Sequence, residues 1–208
     1  MRSSIRVAMF TPLPPARTGT AEYARAVVDE LGKLVNLEVF ESVPKRFNNK
    51  AFDAVIYQIA NNPHHADFYE RALDHPGIAM LHEVNLHDLI KGRTLNCGGE
   101  RAYLKEVMYE VFGKDINDPG RGESFEVPQP RTFTMLRRLL DRSERCIVHS
   151  SYAERELRAK SFRKPVAVVP HGATVRNLDP RPYRQALGVP PSAPLMEGPG
   201  RGMSLAAC

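Results

Sequence analysis

The sequence predicts a doubly wound α/β fold on a parallel sheet, and three observations carry that prediction. Short apolar runs alternate with longer segments of helical periodicity. Breakers and capping residues stand where one element gives way to the next. Six of the seven histidines lie at, or a few residues beyond, the end of an apolar run, so parallel strands would gather nearly all the imidazole at one sheet edge. Open α/β sheets bind ligands at that edge.

The first unit sets the pattern. IRVAMFT from Ile5 reads as a strand, PLPPARTG as a breaker-rich loop and TAEYARAVVDELGKL as a helix. Thr20 is its expected cap, and Ala24, Val27, Val28, Leu31 and Val35 form its apolar stripe. LEVFESV from Leu37 completes the β-α-β unit. Residues 53–60 make a third strand, after which Asn62-Pro63 places a capping residue before a proline at the first helical position and launches HHADFYERALDH. Residues 77–82 are a fourth strand.

Helical patterns follow at 84–95 and 100–112, the latter with Leu104, Met108 and Val111 in register. Residues 113–130 have no sustained periodicity and many breakers; a loop of that length is commonly functional or disordered. Residues 131–141 are expected to be helical and 145–149 a strand. Ser151-x-x-Glu154 reads as a capping box opening the next helix, and residues 166–169 as the last strand. The α/β domain is expected over residues 1–175. The proline-rich residues 176–208 read as a linker and the cut-short, disordered start of another domain.

Composition narrows the chemistry. No apolar stretch approaches the roughly 20 residues of a membrane helix, and MRSSIRVAMF has too short an apolar core, broken by Arg6, for a secretory signal. A cytoplasmic location is expected. Cys97, Cys146 and Cys208 are odd in number and far apart, which argues against a disulfide framework and a C-x-x-C site. The formal charge is +5, and between Arg131 and Lys164 ten basic residues stand against four acidic ones. That segment is a solvated helix surface or a peripheral contact with an anionic membrane face. Without interleaved aromatics or a recognisable module, nucleic acid is not an expected partner.

Residues 12–19 stand between a strand and a helix amino terminus, where free N–H groups face a phosphate or sugar hydroxyl and Gly19 permits close approach. With only Gly19 present, the glycine fingerprint of dinucleotide folds is missing, so no such cofactor is expected. In LHEVNLHDL, His82 and His87 are five residues apart, about 140° around a helix, which does not match the helical zinc motif. No metal site is expected. His82, Glu83 and His87 instead form a polar cluster suited to sugar hydroxyls, and His149 and His171 rank below His82. There is no G-x-S-x-G elbow and no P-loop.

Four blocks together resemble one family: TPLPPARTGTAEYARAVVDEL, IYQIANNPHHADFYERALDHPGIAMLHEVNLHDL, IVHSSYAERELR and VAVVPHGA. They cover most of residues 5–175 and are similar to the amino-terminal domain of family 4 (group 1) glycosyltransferases, one half of the GT-B architecture of two facing Rossmann-like domains. The resemblance implies transfer of a sugar from a nucleotide-sugar donor with retention of configuration, without metal or cofactor, to a carbohydrate or glycolipid acceptor. It implies that Gly19 approaches the donor diphosphate and that His82 stands near the reacting sugar, and His171-Gly172 resembles the segment leading to the interdomain linker. Taken with the helix start and the polar cluster, His82 is the expected catalytic residue, and Gly19, Thr20, His82, Glu83, His87, His171 and Gly172 are the expected substrate-binding residues. The donor domain of the family is not recognisable after residue 194, so the chain alone is expected to be inactive, with low solubility or self-association. The alternative is a non-catalytic sugar- or partner-binding domain that works with a separately encoded half.

Overall fold

The computed structural model describes residues 5–97, 99–116, 133–172, 179 and 181–193. It divides into two compact units, Met1–His171 and Gly172–Cys208.

The first unit is an α/β domain of the doubly wound, Rossmann-like kind. In chain order it runs β1 (Arg6–Phe10), α1 (Gly19–Leu31), β2 (Asn36–Phe40), β3 (Ala54–Ile59), α2 (Ala66–Asp74), β4 (Ile78–Leu81), α3 (His87–Arg93), α4 (Glu100–Phe112), α5 (Arg137–Arg142), β5 (Arg145–Val148), α6 (Ser151–Ala159) and β6 (Val166–Val168). The six strands form one sheet in the order β2-β1-β3-β4-β5-β6. Every pairing is parallel, so all strands end at one edge. The order reverses between β1 and β3, the place where such sheets open a crevice.

Period-2 alternation divides each strand between two faces. Val7, Met9, Ile56 and Met80 pack with Tyr23, Val27, Val28 and Leu31 of α1. Ala8, Phe10, Tyr57, Ile59, Ala79, Leu81, Cys146 and Val148 join the larger core, with Phe68, Leu89, Tyr103, Leu139 and Leu157 from α2 to α6. That core includes an aromatic group in which Phe10 stacks on Phe40 and Tyr57 and meets Phe47 edge-on. Gly77 enters β4 where a Cβ would lie 2.6 Å from the Val55 carbonyl oxygen, so the close strand approach requires a glycine there.

Several boundaries differ from expectation, each for a local reason. The cap of α1 is Thr18, whose Oγ1 accepts the Thr20 N–H at 3.1 Å. Ser150 rather than Ser151 caps α6, through the Ala153 N–H. Asn62 does cap its helix ahead of Pro63, but the first turn is 3-10 before α2 begins. The segment expected as one helix at 84–95 is helical only over α3, with a 3-10 turn at Leu95–Cys97. Of the helix expected at 131–141, residues 133–136 are irregular and Met135 has a left-handed φ of 54°.

Most of the breaker-rich segment 113–130 lies outside the described residues. Its first residue, Gly113, closes α4 at φ 70°, and Arg137 donates to the carbonyls of Glu110 and Val111 there. The basic segment is largely engaged within the domain. Arg138 pairs with Glu106 and Asp115, Lys160 with Glu110, and Lys164 donates to the carbonyls of Asp141 and Ser143. In the second unit, where no regular element is expected, α7 (Arg181–Ala186) forms. Asp179 accepts from the Arg181 backbone and guanidinium, and Arg184 donates to the carbonyls of Pro190 and Ala193. No helix among the described residues is long and apolar enough to cross a membrane.

Candidate functional site

The carboxyl edge acquires its polar groups through alternation and register. On β4, Ile78 and Met80 face α1, so the next residue of that parity is His82. On β5, Ile147 faces α1, and the next is His149. Leu81 pairs with Val148, so these two histidines are neighbours one step past the ends of adjacent strands. On β3 the same parity brings Gln58 to the α1 side. The ladder continues one residue past β6, where the Val169 N–H donates to the Val148 carbonyl at 2.8 Å, and His171 follows.

Three imidazoles meet there. One ring nitrogen from each of His82, His149 and His171 lies within 4.8 Å of the other two. The rings of His149 and His171 are 3.9 Å apart between centroids, and His82 is 4.8 Å from His149 and 5.3 Å from His171. Tyr23 of α1 presents its ring edge-to-face with all three, at 5.0, 5.1 and 4.6 Å. Burial raises the Tyr23 pKa, so it remains a neutral phenol. His82 and His149 are half-buried and His171 is exposed.

The tautomer of His149 follows from its partner. Its Nδ1 lies 2.8 Å from the Val169 carbonyl, which can only accept, so Nδ1 carries the proton and Nε2 the lone pair. The Nε2 atoms of His82 and His149 and the Oε1 of Gln58 are buried without a hydrogen-bond partner among the described residues. Buried polar atoms are normally paired, and these three sit on the α1 side of neighbouring strands. Burial, reinforced by His149 and His171, pushes the His82 pKa down to about 3. Burial also lowers that of His171.

Beside this cluster lies a network in which both ring nitrogens of His65 are bonded. His65 is fully buried and donates from Nδ1 to the Gln58 carbonyl at 2.8 Å. Its Nε2 therefore accepts from the Thr20 hydroxyl at 3.0 Å, and Thr20 bonds to Thr18 in turn. Gln58 Nε2 donates to the Thr20 carbonyl at 3.1 Å, tying β3 to the start of α1.

The expected site residues thus separate. His82 and His171 come together. Gly19, at the start of α1, is exposed with nothing within 4 Å of a Cβ built there, so packing does not demand a glycine. Gly172 is exposed and opens the second unit. The Thr20 hydroxyl is bonded within the protein rather than offered to a ligand. Glu83 is exposed and accepts the Asn61 N–H at 3.0 Å, joining the loops after β3 and β4. His87 departs most from expectation: it is 1% exposed, its Nδ1 donates to the Phe133 carbonyl, and its Nε2 accepts from the Tyr103 hydroxyl, both at 3.3 Å. With both nitrogens used, His87 is a packing histidine.

Spacing along the chain misses His149, Tyr23 and Gln58 as site residues. A signal for two of them was present, because Gln58 and His149 interrupt or close apolar runs on the parity that faces α1. Tyr23 carries no such mark; the first turns of a helix give no indication of which strand ends they cover.

The chain matches no protein-family model and has no significant similarity to a curated protein.

Proposed function

We propose that the first unit is the acceptor-side domain of a retaining, nucleotide-sugar-dependent glycosyltransferase. The observation that carries this reading is the hydrogen-bonding cluster of His82, His149, His171 and Tyr23 where the ends of β4, β5 and β6 meet α1, with a His82 imidazole that burial keeps neutral. A sugar hydroxyl needs partners that both donate and accept, without the desolvation cost of a buried charge. A neutral imidazole does both, and a pKa of about 3 keeps His82 neutral at physiological pH.

The start of α1 supports the reading from the other side. A helix amino terminus favours negative charge, and at Gly19 the backbone is open to approach. A diphosphate leaving from the donor would find partial positive charge there. Most transition-state stabilisation in such a transfer acts on that departing charge. It also requires groups from a second, donor-holding domain facing this edge.

The test is transfer of a labelled sugar from a panel of nucleotide-sugars to a panel of sugar and glycolipid acceptors. The chain alone is expected to show nothing above background hydrolysis; with a matching donor domain, transfer is expected to appear. His82→Ala should then lower the rate by about 100-fold or more, the scale of a general acid–base or oriented hydrogen-bonding group, with an unchanged melting temperature. Full transfer by His82→Ala would remove His82 from the reaction. Failure to bind any acceptor or donor would remove the reading itself.

A further inference from the structure

We propose that His82, His149 and His171 form a three-imidazole site for a divalent transition-metal ion, with Zn2+ the best match. The inference does not rest on the glycosyltransferase reading. Three features of the cluster carry it.

The first is convergence. Three imidazoles leave the ends of three adjacent strands and bring one nitrogen each within 4.8 Å of the others. The second is the state of those nitrogens. Nε2 of both His82 and His149 is buried and without a hydrogen-bond partner among the described residues, although neighbouring His65 has both of its nitrogens bonded. The third is orientation from behind. The Val169 carbonyl receives the Nδ1 proton of His149 at 2.8 Å and so leaves the lone pair on Nε2, free to bind an ion. Metal-bound histidines are typically held in this way.

The ligand set selects the ion. It holds only imidazole nitrogen, without carboxylate or thiolate, which suits Zn2+, Cu2+, Ni2+ or Co2+ and disfavours Mg2+ and Ca2+. Three nitrogens at the Zn–N distance of about 2.0–2.1 Å in tetrahedral geometry are roughly 3.3 Å apart, so the cluster must tighten on binding. His171 is the member able to move, being exposed and beyond the end of β6. Three protein ligands with one solvent-facing member leave a fourth position for water or an anionic group, the arrangement of an open rather than a structural site.

The experiment is calorimetric titration of the full chain, stripped with a chelator, with Zn2+ alone, together with a visible spectrum of the Co2+-loaded protein. The expected result is one ion per chain and a Co2+ spectrum of low-coordinate, nitrogen-rich type. His149→Ala and His171→Ala should each weaken binding by about ten-fold or more. His64→Ala, an exposed histidine outside the cluster, should leave it unchanged. Because His171 is exposed, its variant tests the site even if His149→Ala folds poorly, and circular dichroism of each variant confirms the fold. No saturable binding, or binding that survives His171→Ala intact, would overturn the proposal. Sugar transfer plays no part in the readout, so either idea can fail without the other.

Discussion

His87 and His149 differ in what the fold has done with their nitrogens. Each follows a strand of the sheet, β4 and β5 respectively, and in the sequence they look alike. His87 sits in the larger core with one nitrogen donating to Phe133 and the other accepting from Tyr103. His149 sits on the α1 side with one nitrogen bonded to Val169 and the other buried and unpaired. A satisfied histidine stabilises the fold; a histidine with a buried, unpaired nitrogen costs stability until something binds it. The difference separates architecture from site more sharply than burial alone, since His65 is also fully buried and fully bonded.

The largest effect that sharpens this comparison is expected at His87. His87→Ala removes a fully packed ring together with its hydrogen bonds to the Tyr103 hydroxyl and the Phe133 carbonyl, so urea unfolding should show a loss of about 2–4 kcal/mol. His65→Ala should follow at about 2–3 kcal/mol, because the Thr20 hydroxyl and the Gln58 carbonyl both lose a bond. A change below about 1 kcal/mol at His87 would break the distinction.

His65 also makes a prediction in pH. Burial holds its folded pKa down to about 4, against about 6.5 when unfolded, so between these values the unfolded chain binds more protons and stability falls as the medium is acidified. Its contribution is complete above about pH 6.5 and is lost as pH falls toward about 4, at no more than about 1.4 kcal/mol per pH unit. Urea midpoints measured across that range should show the slope, and His65→Gln should reduce it, leaving the part contributed by His82, whose pKa burial also lowers. An identical slope in both proteins would assign the acid sensitivity elsewhere.

A smaller effect is expected at His149. His149→Ala deletes a buried unpaired nitrogen together with a bond at the sheet's end, two terms of opposite sign, so unfolding of the metal-free chain should change by less than about 1 kcal/mol. The smallest belongs to Gly19. A Cβ there meets nothing within 4 Å, so Gly19→Ala should shift the melting midpoint negligibly. If phosphate or sugar approaches that backbone, the same variant should still weaken ligand binding. Normal binding by Gly19→Ala would separate the start of α1 from the site.

The strands, the helices over them and the parallel sheet were legible because each depends on neighbours a few residues away. Apolar periodicity identified β1, β3, β4 and β5 within a residue or two, and the Asn62-Pro63 start was correct in kind. The caps at Thr18 and Ser150 were misplaced by two residues and one. Two hydroxyls stand one or two residues apart in each case, and backbone geometry chooses between them. Helix 84–95 was overextended because the apolar Val84 and Leu95 bracket the pattern, while only His87–Arg93 is α-helical and a 3-10 turn follows.

By itself, the sequence determined that imidazole would collect at the carboxyl edge, since that follows from strands ending in histidine and running parallel. Only the tertiary structure decided which histidines meet. His82 and His87 are five residues apart yet serve opposite faces, whereas His82, His149 and His171 span 90 residues and converge. Pairing register sets that outcome, because a shift of one residue in β5 would turn His149 away from α1. Register is a property of strands packed together, and no single strand's sequence contains it.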